Sequence, residues 1–199
     1  MYMSRCLVLF IEGDTEIAFY KRLVSIIREN HSAGQLDTKI IYRNVKGIGG
    51  YKKEVTRIFK KDILVKYKNY TFVVALCRDT DVFEFAQKPK IRWGEVEKQL
   101  KKEGAKRVIH VQAVKAIEDW FLYDLEGVCR YLNIPLTQPT GRNGYDKLSN
   151  LFKRANKTYI KGRMTKGFVE SLDVGKIVNC IWEELSPICK TLGVKRIPE

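Results

Sequence analysis

Acidic residues follow three short apolar runs of the sequence, and their spacing suits metal chemistry. Glu12 and Gly13 close the first run, Asp79 and Asp81 follow a later one, and Glu118 lies just beyond another. In an open α/β sheet the carboxyl ends of neighbouring strands face one crevice, so these carboxylates are expected to lie close together. Carboxylate oxygens suit hard divalent cations such as Mg²⁺, which usually keep waters that a substrate phosphate can displace. The spacing therefore predicts that the acids converge on a divalent metal ion.

Each acidic segment also has a purely structural interpretation. Aspartate is common in turns, so Asp79-x-Asp81 taken alone is a weak signal. Glu12 is compatible with a solvated strand end before a helix cap. Glu118 would lie in the first turn of a helix, where a negative charge offsets the helix dipole. The case for a site rests on these acids lying at the ends of different strands.

The elements that must position these acids alternate along the first two thirds of the chain. Short apolar runs alternate with segments of helical periodicity, a pattern typical of βαβ units and a mainly parallel sheet. Two further helical patterns follow a loop rich in Pro, Gly, Thr and Asn. The predicted strands are 6–12, 40–45, 72–76 and 108–114, and the predicted helices are 15–30, 51–67, 93–103, 116–132, 145–155 and 174–191.

Positive charge is concentrated in two segments of this 199-residue chain, whose net charge is +14. Residues 39–68 hold ten Lys or Arg against two acids, and residues 142–166 hold eight against one. Localised basicity of this kind indicates a polyanion site, although lysine-rich helices are often only solvated faces. Tyr159 and Phe168 accompany the second segment and would offer rings for base stacking. The candidate nucleic-acid-binding residues are Lys46, Lys52, Lys53, Arg154, Lys157, Lys161, Arg163 and Lys166.

Other features narrow the class of protein. The glycine-rich turn 46–50 has neither the GxxxxGK[ST] nor the GxGxxG pattern. It is compatible with a loop that binds no ligand, or with a phosphate contact through Lys46, Lys52 and Lys53 around it. Five cysteines without a CxxC pair indicate reduced thiols and a cytoplasmic protein. No apolar stretch approaches the roughly 20 residues of a membrane span, so no membrane partner is expected.

The acidic motifs, taken in order, resemble a known domain. An apolar strand ending in Glu12-Gly13-x-x-Glu16, followed by a strand ending in Asp79-x-Asp81, is similar to the TOPRIM domain of topoisomerases, primases and OLD-type nucleases. The segment 116–124 resembles the Glu-x-Trp helix of small stand-alone TOPRIM-like proteins of the RloB-like group. The resemblance covers residues 5–130 and matches the rest of the chain only loosely.

The resemblance implies a fold and roles for the acids. The fold would be a TOPRIM-like Rossmannoid α/β domain at residues 1–134, a mainly parallel sheet flanked by helices. Beyond the resemblance, the helical patterns and the second basic segment predict a basic helical C-terminal extension at residues 135–199, packed on the same unit. Asp79 and Asp81 would hold Mg²⁺ or Mn²⁺, and Glu12 would be a metal ligand or the general acid/base. Glu118 would complete the acidic cluster. The family also implies pairing with a separate ATPase in bacterial or archaeal defence loci.

These observations favour a metal-dependent nuclease acting on DNA or RNA. No winged-helix or strand-passage region surrounds a candidate catalytic tyrosine, and no zinc module is present, so a topoisomerase or primase is disfavoured. The alternative is a non-catalytic nucleic-acid-binding module whose acidic cluster is structural. A phosphoacceptor or phosphatase fits less well, because a receiver domain would place its lysine after a fifth strand and a dehalogenase-type enzyme its DxD after the first.

Overall fold

The computed structural model describes residues 4–29, 38–80, 91–163 and 167–194. At its centre is a four-stranded, all-parallel sheet, whose strands are β1 (Ser4–Ile11), β2 (Thr38–Asn44), β3 (Tyr70–Asp79) and β4 (Ala105–Ala113). The strands lie in the order β2-β1-β3-β4. The inner strands β1 and β3 are nearly continuous apolar runs, as expected of strands that helices cover on both faces. The predicted α/β class, with a mainly parallel sheet flanked by helices, is confirmed.

The first face of the sheet carries the larger core. Alternate residues of β1, including Leu7 and Leu9, pack there in one core with Phe19, Trp120 and Phe121. Because strand side chains alternate between faces, one apolar run supplies both cores. The helices of this face are α1 (Asp14–Glu29), α6 (Ile117–Phe121), α7 (Leu125–Leu132), α8 (Gly144–Arg154), α9 (Val174–Cys180) and α10 (Trp182–Thr191).

The second face carries a smaller core around Val8 and Phe10, the other residues of β1. Tyr51 is fully buried there and its hydroxyl donates to the Phe10 and Cys77 carbonyls, which ties this layer to β1 and β3. The helices of this face are α2 (Gly49–Lys53), α3 (Val55–Ile58), α4 (Leu64–Lys66) and α5 (Trp93–Glu103), with a π-helical turn at Phe59–Ile63 between α3 and α4.

Three predicted helices are interrupted. The segment predicted as 116–132 divides at Asp124, which is buried and whose side chain accepts hydrogen bonds from the Gly127 and Asp173 N–H groups. Asp124 therefore acts as the N-cap of α7, which ends the preceding helix at a short 3₁₀ turn. The segment 51–67 is divided by the π-helical turn, and 174–191 divides at Ile181.

The helices after residue 135 share the first-face core. Phe152 of α8 packs against Tyr159 and Phe168, and Phe168 contacts Phe121. The division into residues 1–134 and 135–199 stays a prediction, since a common core does not locate a boundary. Within the described ranges, every helix is too short or too polar to cross a membrane.

Candidate functional site

The acidic site lies between β1 and β3, at the switch point of the sheet, where the strand order reverses. Helix α1, which follows β1, covers the first face, whereas α5, which follows β3, covers the second. Neighbouring strands whose helices leave to opposite faces open a crevice at their carboxyl ends, where α/β proteins bind ligands. Glu12 follows β1 and Asp79 ends β3, so both lie at this crevice.

Hydrogen bonds join the acids that the sequence places on different strands. Glu12 Oε1 accepts the N–H of Asp79 at 3.2 Å, which links the ends of β1 and β3. Asp79 Oδ1 accepts the N–H of Ile117 at 3.1 Å, at the start of α6. The neighbouring Glu118 is fully buried, and its Oε1 accepts the Tyr159 hydroxyl at 2.9 Å. The structure therefore brings Glu12, Asp79 and Glu118 to one place.

A lysine from the C-terminal part of the chain lies among these carboxylates. Lys161 Nζ is 3.1 Å from Asp79 Oδ2 and 3.9 Å from Glu118 Oε2. Its segment crosses the start of α1, where the Asp14 N–H donates to the Gly162 carbonyl at 2.9 Å. The nucleic-acid contact of Lys161 stays a prediction, and in the structure its ammonium pairs with these acids instead.

Burial dominates the electrostatics of the cluster. Burial raises the pKa of Asp79 to about 8, although the Lys161 ammonium opposes this, and the Glu118 and Glu12 carboxylates raise it further. Burial likewise raises the pKa of Glu16 to about 7. Crowded acids that retain protons near neutral pH are typical of sites built for a cation or for proton transfer.

Glu16 is the site residue whose role the sequence reasoning missed. It lies one turn into α1, is 6% exposed, and its Oε2 is buried without a hydrogen-bond partner in the described part of the chain. A buried carboxylate oxygen without a donor is costly, so it favours a bound cation or water. The available signal was the spacing Glu12-x-x-x-Glu16, because Glu16 then lies near the start of the helix that follows Glu12.

Carboxylate oxygens are suitable ligands for a divalent ion, but in this structure the neighbouring acids do not surround a single point. A cavity of about 10 Å³, close to the minimum for one water, is lined by Glu12, Glu16 and Asp79. Among the described residues, however, no three His, Cys, Asp or Glu side chains already stand in a metal-holding arrangement. Ion binding would therefore require the side chains to turn toward the cavity and Lys161 to move relative to Asp79.

The close approach of two glycines holds the Lys161 segment against α1. A Cβ on Gly13 would lie 2.7 Å from Gly162 Cα and 2.6 Å from Glu16 Oε2. We expect Gly13→Ala to displace this segment, to destabilise the protein by about 1–3 kcal/mol, and to lower any activity of the site. Thermal unfolding checks this, with Gly94→Ala as the control, since nothing lies within 4 Å of a Cβ there. Equal melting temperatures for the two variants would contradict the expectation.

A buried arginine network adjoins the site on the second face. Arg78 stacks on Trp93, with its Cζ 3.8 Å from the ring centroid, and its Nη1 donates to His110 Nδ1 at 2.8 Å. His110 Nε2 in turn contacts Glu97 Oε2 at 3.1 Å. Because arginine only donates, Nδ1 is the acceptor and the His110 proton resides on Nε2. These contacts hold the guanidinium of Arg78, the residue that precedes Asp79, in a fixed position. The sequence analysis did not predict this network.

The structure separates the predicted basic residues into two groups. Lys46, Lys52 and Lys53 are exposed at the turn after β2 and on α2, and the described members of the second group are exposed along the end of α8 and the segment after it. Asp81 and Lys166 lie outside the described residues. The described members of the second group are Arg154, Lys157, Lys161 and Arg163.

The proposed stacking role of two aromatic residues is wrong. Tyr159 is 4% exposed and Phe168 is fully buried, and both rings pack with Phe152 in the first-face core. Their rings hold the C-terminal helices together, so neither offers a free face to a base. The exposed aromatic residue near this segment is Tyr145, whose ring centroid lies 6.1 Å from that of Tyr159.

Fold and site together define a Rossmann-like α/β protein with a buried acidic cluster at its switch point. No protein-family model matches the sequence, and no curated protein matches it. A solved structure, the C-terminal region of the Xanthomonas campestris pv. campestris OLD protein, is similar at 16% identity and a TM-score of 0.32, over 94% of this chain and 100% of that chain. Similarity this low assigns neither a family nor an activity, so the TOPRIM resemblance stays a prediction.

Proposed function

We propose that the protein is a metal-dependent nuclease that hydrolyses phosphodiester bonds of DNA or RNA. The observation that carries the proposal is the convergence of Glu12, Glu16, Asp79 and Glu118 at the switch point of the sheet, with Lys161 among them. Acids for a hard cation and a lysine for an anion at one crevice suit a phosphate-containing substrate. Exposed lysines and arginines nearby would hold the polyanion.

The residues of the site would divide the work of hydrolysis. Glu12, Asp79 and Asp81 would hold Mg²⁺ or Mn²⁺, with Glu16 as a further ligand from α1. When bound, the ion would polarise the phosphodiester and lower the pKa of a water. Glu12, whose Oε1 accepts the Asp79 N–H, would alternatively accept a proton from the attacking water instead of holding the ion.

The neighbouring contacts would keep these groups in position. Tyr159 holds the buried Glu118 through its hydroxyl, and the Ile117 N–H holds Asp79. The Lys161 ammonium, once turned from Asp79, would bind a phosphate oxygen and stabilise the charge that develops there. Asp79 and Glu118 would thus be held near the substrate, while Lys161 would reorient when the ion and the phosphate bind.

Cleavage of labelled single- and double-stranded DNA and RNA tests the proposal. We expect cleavage with Mg²⁺ or Mn²⁺ and none in EDTA, and the substrate that is cut identifies the class of nucleic acid. Asp79→Asn protein purified in the same way is the control for contaminating activity. Salt-sensitive binding to every substrate, without cleavage under any metal condition, would contradict the nuclease assignment.

A non-catalytic nucleic-acid-binding module is the second candidate. It is favoured by the Lys161–Asp79 ion pair and by the lack of a ready metal arrangement within the described ranges. In that case Lys161 would be a structural counter-ion, and Mn²⁺ would leave the melting temperature unchanged.

The sequence resemblance adds a separate ATPase and a prokaryotic defence role to the nuclease proposal. Co-purification of the chain with an ATPase encoded beside it checks that part.

A further inference from the structure

A cleft of about 440 Å³ opens beside helix α8, on the other side of Tyr159 from the acidic cluster. Its volume lies within the range of small-ligand sites, roughly 300–1,000 Å³, and suits one nucleotide better than a duplex. The residues that line the cleft include Arg142, Tyr145, Ser149, Lys153 and Tyr159. The described structure leaves the role of this cleft unexplained, since the carboxylates lie elsewhere.

The cleft has an aromatic ring available for stacking. Tyr145 is 38% exposed, whereas the Tyr159 ring behind it is buried. The two rings are tilted at 52°, with centroids 6.1 Å apart, so Tyr159 supports Tyr145 from inside the cleft. An exposed aromatic side chain in a basic cleft is the usual platform for an unpaired base.

Polar groups of the cleft suit the rest of a nucleotide. Arg142 and Lys153 are exposed cations, and the one acid that lines the cleft with them is Asp146. These cations would contact the phosphate oxygens of a nucleotide.

The cleft is fixed relative to the acidic cluster by direct contacts. Tyr159 separates the two, and its hydroxyl donates to Glu118 Oε1 at 2.9 Å. At the start of α8, a Cβ on Gly144 would lie 2.5 Å from the Asp119 nitrogen, so α8 packs tightly on α6. Tyr159 therefore contacts both the cleft and the acidic cluster.

We propose that this cleft binds one unpaired nucleotide next to the phosphodiester at the acidic cluster. Because Tyr145 can stack only on a base whose face is free, the substrate class is single-stranded nucleic acid or an unpaired end. This inference rests on the proposed function, since it takes nucleic acid as the substrate.

Binding in EDTA tests the inference without any cleavage. Fluorescence anisotropy compares labelled single-stranded and duplex oligonucleotides, and a 2-aminopurine reporter detects stacking directly. We expect tighter binding of the single strand, and we expect Tyr145→Ala to weaken it by roughly 5- to 160-fold, because one base–aromatic stack is worth roughly 1–3 kcal/mol. Tyr145→Phe should retain binding and 2-aminopurine quenching.

The controls separate this inference from the nuclease proposal. Tyr123→Ala removes another exposed tyrosine, which does not line the cleft, and should leave binding unchanged. Thermal unfolding of each variant detects loss of fold. Equal affinity for single strand and duplex, or a Tyr145→Ala variant that binds as tightly as Tyr123→Ala, would overturn the inference even if the protein cleaves. Strand binding that depends on Tyr145 without cleavage in metal would refute only the nuclease proposal.

Discussion

Replacing Asp79 with asparagine should reduce metal-dependent cleavage by at least about 100-fold while the fold stays intact. The substitution preserves the shape of the side chain and the oxygen that accepts the Ile117 N–H. It removes the negative charge that faces Lys161 and the candidate cation. A bound metal ion supplies several kcal/mol of transition-state stabilisation, and each 1.36 kcal/mol corresponds to a factor of ten in rate.

Single-turnover cleavage rates and thermal unfolding measure this effect together. Asp62→Asn is a matched control, because it removes an exposed carboxylate from the π-helical turn on the second face, away from the site. The control should keep its rate. Full activity of Asp79→Asn would exclude Asp79 as a member of the catalytic site, and an equal loss in Asp62→Asn would contradict an effect specific to this site.

The metal-free protein should lose stability as the pH rises from about 4 to about 8. The pKa values of Asp79 and Glu16 are raised to about 8 and about 7, above their ordinary values, so the folded state binds more protons than the unfolded state in this range. Stability then falls with rising pH, and the fall ends above the higher folded pKa. The melting temperature in EDTA should therefore decrease by several degrees between pH 5 and pH 8.5.

Divalent metal should reverse this loss of stability. Cations bind deprotonated carboxylates of the folded state, so the stabilisation by Mn²⁺ should grow with pH. Asp79→Asn lacks the group with the higher raised pKa, so its melting temperature should depend less on pH and on Mn²⁺. Melting curves in EDTA and in Mn²⁺ across this pH range provide the test. A wild-type melting temperature that rises toward pH 8 in EDTA would contradict the burial of protonated acids.

The sheet and the acids at its edge could be predicted because their signals are local. The apolar runs around Leu9 and Ala75 are strands of the right length, and Glu12 and Asp79 follow them directly. The carboxyl ends of parallel strands lie at the same edge of the sheet, whichever face the connecting helices cover. The α/β class was therefore accessible from periodicity alone.

The rest of the site depends on contacts between distant parts of the chain. The Thr15 hydroxyl donates to the Arg163 carbonyl across 148 residues, and this contact helps to bring Lys161 to Asp79. No local pattern specifies such a pairing. The same holds for Tyr159, whose aromatic ring looked like a stacking platform although tertiary packing buries it against Phe152.

Helix boundaries were harder to predict for a similar reason. The apolar periodicity from 116 to 132 continues through the break, so it indicated one helix. The break comes from Asp124, whose partner Asp173 lies 49 residues away. A side chain that caps one helix and also binds a distant backbone N–H leaves no signal in the periodicity.

Calorimetric titration of Mn²⁺ into the wild-type protein and into Asp79→Asn at pH 8 tests the central claim most directly. The account predicts saturable binding to the wild type and affinity at least about tenfold weaker in the variant, since one carboxylate ligand is lost. Tyr145→Ala should bind Mn²⁺ like the wild type, because Tyr145 lines the neighbouring cleft and not the acidic cavity. No binding to the wild type, or equal binding to Asp79→Asn, would contradict the claim that these carboxylates form a metal site.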